Sequence, residues 1–244
     1  MTRILWTRRE LIEVLKLYCE LPFGKIHSRN PQIIELAERI SRTSSAVALK
    51  MTNFASLDAT LSQKGMANAS HLDKEVWDEF FADIDKFISS EPIEIERSGL
   101  EESPTFHFDW KSIGETERVA FGISRVSQGF FRRMILASYS GTCAITGISD
   151  ERLLVAGHIV PWSKRNDLRM NPHNGICLNA LHDRAFDNGL ITIGEASEII
   201  YSPLLQKNTR VALEKFGQNK FRFPDKFAPD HEFLNYHRES VFRS

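Results

Sequence analysis

Asp183 and Asp187 stand four residues apart in the stretch LNALHDRAFDNGLITI. On a helix that spacing puts both carboxylates on one face, close enough to share a hard cation such as Mg2+. The helix has legible ends: Asn179 is a good N-cap and Gly189 a good stop, so it should run from about Ala180 to about Asn188. Two short apolar runs precede it. The first, LLVAGHIVPW, contains one histidine, His158, which period-two alternation sets on the face opposite the buried Ile159. The second is opened by Asn174, nine positions before Asp183, and the polar loop between the runs holds Lys164, Arg165 and Arg169. The expected local order is strand, loop, strand, helix.

The order histidine, asparagine, then two carboxylates nine and thirteen positions after the asparagine resembles the HNH nuclease motif, the ββα-metal finger. The wider text, with CAITG (143–147), GHIVPW (157–162), NPHNG (171–175) and FDNGLITI (186–193), is similar to the branch of HNH endonucleases found in bacterial restriction systems. The likeness covers about residues 115–195 closely and the two ends more loosely. A lone His158 in an apolar strand is usually a core histidine, and Asp183 with Asp187 alone a solvated helix face. Their joint order and spacing reverses those odds.

The resemblance implies roles. His158 becomes the general base that activates water, because a neutral imidazole titrating near pH 7 can take the proton. Asn174 holds the hairpin and orients that base, while Asp183 and Asp187 carry a divalent ion, Mg2+ or Mn2+. Many members place a further ligand just before the catalytic histidine, where this chain has Gly157. His182, water or phosphate oxygens must then complete the shell, although His182 points about 100° away from Asp183 on a helix. Zinc-braced members carry two CxxC pairs. Here Cys143 is followed at that spacing by Thr146, so no structural zinc is expected. Arg169 is the preferred phosphate clamp, since a guanidinium matches phosphate oxygens with two parallel bonds. Lys164, Arg165 and Arg132 are further DNA contacts.

The charge distribution agrees with this placement. The net charge is only −1, yet residues 118–176 hold eight Arg or Lys against three acids, and residues 88–117 hold eight acids against two bases. The basic half is the one with the motif, as a phosphate-binding surface requires. Three cysteines are too few for a disulfide framework, and no signal peptide or membrane span is expected, which points to the cytoplasm.

The elements that must position the finger read as an α+β chain with a helical N-terminal domain. Over residues 1–88 the spacing predicts a helix from Thr7 to about Leu21 and a second from Pro31. A third runs through about Phe54 and a fourth over about Lys74–Ile88. The second and third, joined by a tight polar turn, are compatible with a helix-turn-helix whose second helix would bring Lys50 to the major groove, or with a plain helical bundle. Residues 89–114, acidic with Pro and Gly, read as a linker. The nuclease domain then occupies 115–244. It opens with a helix or helix pair carrying Arg118, Arg125, Arg132 and Arg133, and closes with one or two covering strands and a tail that packs back.

The expected function is a metal-dependent DNA endonuclease of a bacterial restriction or defence system. Cutting both strands calls for two active sites and points to a homodimer. The alternatives are a DNA-binding protein with a decayed HNH site and a defence nuclease controlled by a ligand.

Overall fold

The computed structural model describes residues 5–61, 68–89, 115–161 and 163–244. The acidic segment read as a linker and the side chain of Arg118 lie outside the described residues. Helix α1 (Arg8–Glu20) starts where Thr7 and Glu10 cap each other. Helix α2 (Pro31–Arg39) starts with Asn30 as cap and Pro31 in its first turn, and α3 (Ser44–Ala55) is capped by Thr43.

The expected fourth helix is two. Helix α4 (His71–Ala82) begins at a Ser70–Asp73 capping box, earlier than the apolar pattern suggested. It ends at Asp83, whose carboxylate accepts from the Lys86 N–H at 3.1 Å and so caps α5 (Ile84–Ser89). An aspartate inside an apolar periodicity satisfies the backbone of a new helix better than it continues the old one.

Lys50 corrects a second expectation. Val47, Met51 and Phe54 turn inward on α3, and Lys50 turns with them, only 7% exposed, while Leu49 faces solvent. Its ammonium lies 3.0 Å from both oxygens of the buried Asp73 and near the Trp6 ring. A lysine held in a buried ion pair is not free to meet DNA phosphate, because removing it would strand Asp73 uncompensated. The outward residues of α3, Ser45 and Leu49 among them, carry no charge. Helix α3 packs on α1, α2 and α4.

Helix α6 (Glu115–Ser138) is one helix of 24 residues. It packs on α1 and α5 on one side and on the antiparallel hairpin β1 (Leu154–His158) and β2 (Gly175–Asn179) on the other. Register pairs Leu154 with Asn179 and His158 with Gly175. Helix α7 (Ala180–Asp187) follows β2 directly, because the Asn179 side chain accepts from the Leu181 and His182 N–H groups. Gly189, at φ +67°, ends it, as a residue free of the Cβ penalty can. A second hairpin, β3 (Ile191–Ile193) with β4 (Ile199–Tyr201), precedes α8 (Lys207–Phe216) and α9 (His231–Tyr236), after which His237–Val241 form a π-helical turn.

The tail does more than cover the finger. Lys226 is fully buried and donates to the carbonyls of Tyr18 and Cys19, where the last turn of α1 leaves acceptors unmatched. Burial pushes its amine down to about 8. Next to it the Phe227 N–H donates to Asp58 at 2.9 Å, and the Phe227 ring packs among Tyr18, Trp77 and Phe81. One continuous apolar core thus runs from Leu11 and Phe54 through Phe130 and Ile135 to Leu178 and Phe186. No helix among the described residues is long and apolar enough to cross a membrane.

Candidate active site

The site lies where the end of β1 meets α6 and α7. His158 closes β1, half-buried, with its ring stacked on Phe131 of α6 at 4.3 Å and 3° between planes. Its Nε2 lies 3.0 Å from the Arg169 carbonyl. A carbonyl can only accept, so Nε2 carries the proton and Nδ1 keeps its lone pair. Burial lowers the imidazole pKa, while the Arg169 carbonyl and Asp187 oppose the shift. The ring is therefore neutral at pH 7, tautomerically fixed and basic at one nitrogen, as proton abstraction from water requires.

Asn174 is fully buried. Its Oδ1 accepts from the Val160 N–H at 2.8 Å, and its Nδ2 donates to the Val160 carbonyl at 3.0 Å and to that of Leu168 at 3.4 Å. One side chain thus ties both ends of the inter-strand loop. Because Leu168 neighbours Arg169, the same amide fixes the segment whose carbonyl orients His158. His173 beside it is tied elsewhere, its Nδ1 donating to the Ala228 carbonyl at 2.7 Å.

Asp183 and Asp187 do share one face of α7. Asp183 is half-buried, and burial followed by repulsion from Asp187 pushes its pKa up to about 6. Asp187 lies at the rim, and partial desolvation of its carboxylate there raises its pKa too, with Arg184 and then His158 pulling the other way. Gly157 explains the closeness of strand and helix. A Cβ there would lie 2.4 Å from Asp183 Oδ1, so only glycine lets the carboxylate rest on the strand. Alternation along β1 then sends the Asp183 contact and the His158 ring to opposite faces of the strand end. Asp187 is the carboxylate whose field His158 feels.

The donor chemistry fits a hard divalent ion. Asp183 and Asp187 are both raised although Arg184 pulls against the shift, so a cation would offset the cost of their charge, and Mg2+ is commonly held by one or two carboxylates with water and phosphate completing its shell. No group of three His, Cys, Asp or Glu that could hold a metal by itself occurs among the described residues. His182 does not join the pair. It is wholly buried on another face of α7, its Nδ1 against the Asn179 amide, with burial lowering its pKa.

Arg169 is half-buried, and its Nε is enclosed without a hydrogen-bond partner among the described residues, a buried donor that calls for an acceptor. Lys164 and Arg165 are exposed on the loop, Arg165 paired with Asp167 at 2.6 Å. Arg132 is engaged in the fold, donating to the carbonyls of Leu154 at 2.7 Å and Glu151 at 2.9 Å. It anchors the start of β1 to α6, which leaves it less free for phosphate than expected.

Reading the sequence alone missed two supports of the site. One is Phe131, whose spacing on α6 gives no sign that its ring stacks on His158. The other is a knot in which the Asn179 N–H donates to Cys143 Sγ at 3.2 Å and the Asn179 Nδ2 to Thr146 Oγ1 at 3.0 Å. Its signal was the C-x2-T spacing itself, which closes the knuckle with hydrogen bonds.

With this geometry in view, the comparison with known families is decisive for one segment. Residues 143–194 match the family model of HNH endonucleases. The chain thus carries an HNH nuclease domain. The match begins at Cys143 and ends just after β3, so it takes in His158, Asn174, Asp183 and Asp187 together. No curated protein matches the chain.

Proposed function

We propose that the chain is a divalent-metal-dependent DNA endonuclease that cleaves by activating water on His158, and that it serves a bacterial restriction or defence system in the cytoplasm. The observation that carries the mechanism is the hydrogen bond from His158 Nε2 to the Arg169 carbonyl, which leaves Nδ1 as a base within the field of Asp187.

Nδ1 removes a proton from the water that attacks phosphorus. The imidazolium so formed lies in the field of Asp187, which favours it. Asn174 keeps the loop, and with it the Arg169 carbonyl, in register. The Arg169 guanidinium meets the phosphate oxygens, giving its enclosed Nε an acceptor. Asp183 and Asp187 hold Mg2+ or Mn2+, which when bound supplies positive charge to the pentavalent phosphorus and the departing 3′ oxygen. The products are a 3′ hydroxyl and a 5′ phosphate. A homodimer supplies the second site for a double-strand cut.

Supercoiled plasmid incubated with protein and Mg2+ or Mn2+ should be nicked or linearised, and EDTA should stop it. Plasmid left intact with both ions, across methylated and unmethylated DNA, would overturn the reading. One observation favours a DNA-binding protein without turnover: Gly157 brings no ligand, and no three-ligand cluster forms among the described residues. Salt-sensitive DNA binding with no cleavage at any metal concentration would select it.

A further inference from the structure

A cleft of about 260 Å³ opens beside His158, on the side of the ring toward α6 and away from Asp183. Phe131, Val155, Ala156 and Met170 give it an apolar side, and Gln128, Arg132, His158 and Arg169 are its polar members. Hydrolysis of a phosphodiester does not by itself require such a surface, because the backbone presents charge and oxygen to the enzyme. Apolar walls next to the reacting group match a flat, weakly hydrated ring instead. The volume lies just below the roughly 300–1,000 Å³ of drug-sized ligand sites, which suits one ring rather than a whole nucleotide. Gln128 is exposed on α6 and offers one acceptor and two donors to the edge of such a ring. Arg169, whose enclosed Nε has no partner among the described residues, stands beside the same space and can hold the adjoining phosphate.

We infer that this cleft is a nucleobase subsite: the strand being cut enters with one base, next to the scissile phosphate, turned out of the stack and seated against Val155, Ala156 and Met170. Gln128 reads its edge. The inference rests on the nuclease reading and adds to it a substrate feature, local unstacking at the cut. Unstacking a base costs a few kcal/mol, so DNA already distorted, mismatched or single-stranded at that position is the better substrate.

The test uses the full chain in EDTA, so that DNA is bound and not cut, with oligonucleotide duplexes carrying 2-aminopurine at successive positions. A base leaving the stack brightens. A several-fold rise at one or two neighbouring positions is expected, and Ala156→Leu, which fills the cleft, should remove it while DNA binding persists. Gln128→Ala, on an exposed helical face, should narrow the spread of cleavage rates among the four bases at that position by about fivefold or more. No brightening at any position, in a protein that still cleaves DNA in Mg2+, overturns the subsite and leaves the nuclease reading standing. Brightening that survives Ala156→Leu, with Gln128→Ala leaving base preference unchanged, places the base elsewhere and overturns it too. A protein that neither binds nor cuts DNA removes both.

Discussion

Two carboxylates share one face of α7, and burial with repulsion from Asp187 holds Asp183 at a pKa of about 6. The folded value lies above the unfolded one of about 3.9, so the folded protein binds more protons between roughly pH 4 and 6 and loses stability as pH rises through that window. In metal-free protein at pH 8 the loss is complete. Asp183→Asn should therefore raise the unfolding free energy in EDTA at pH 8 by about 1–2 kcal/mol, once solvent screening of this half-exposed group is allowed for, and much less at pH 4.5. Equal shifts at both values would contradict the origin assigned to the pKa. The same pair, with only two protein ligands, should bind Mn2+ weakly alone and more tightly with DNA present, as phosphate oxygens join the shell. Titration by electron paramagnetic resonance reads this directly, and an affinity unchanged by DNA would speak against it. Of these residues the sequence showed type and spacing. It did not show that His158 would lie flat on Phe131 or that Lys50 would be drawn to Asp73, because both depend on what another element presents across the core.

At the scale of elements, the hairpin and α7 are held by a few polar ties that a mutation can cut singly. Asn174→Ala leaves the Val160 N–H and two buried carbonyls without partners and should destabilise the protein by about 2–4 kcal/mol. Denaturant unfolding measures this, and a change under 1 kcal/mol would mean the loop is held otherwise. Gly157→Ala meets only the end of a side chain, so the fold should persist while Asp183 is displaced. The metal concentration for half-maximal cleavage should then rise about tenfold or more, as when groups supporting a ligand are lost. An unchanged metal requirement would separate Asp183 from the ion. Helix ends were the most legible elements: Thr7, Pro31 and Asn179 mark their starts as free-standing rules of capping predict. The break at Asp83 was not, since the apolar pattern continues across it and only the aspartate's choice of backbone partner decides.

Across the whole molecule, the tail joins what the sequence divides. Lys226 and Phe227 reach into the helical block at Tyr18, Cys19 and Asp58, and the Ala228 carbonyl accepts a hydrogen bond from His173, one residue from Asn174. The N-terminal helices and the HNH domain share one core. Calorimetry of the intact chain should accordingly give a single unfolding peak, and two resolved peaks would show independent domains. This union was illegible because residues some 170 to 210 apart in sequence meet through packing alone, with no periodicity linking them.

The central claim is that one neutral imidazole performs the proton transfer. Cleavage under single-turnover conditions, with parent and His158→Ala at matched DNA occupancy in Mg2+, tests it most directly. The parent should cut, and the variant should bind DNA equally while its rate falls by about 10²–10⁴. A variant that cuts as fast as the parent would contradict the assignment of the base to His158.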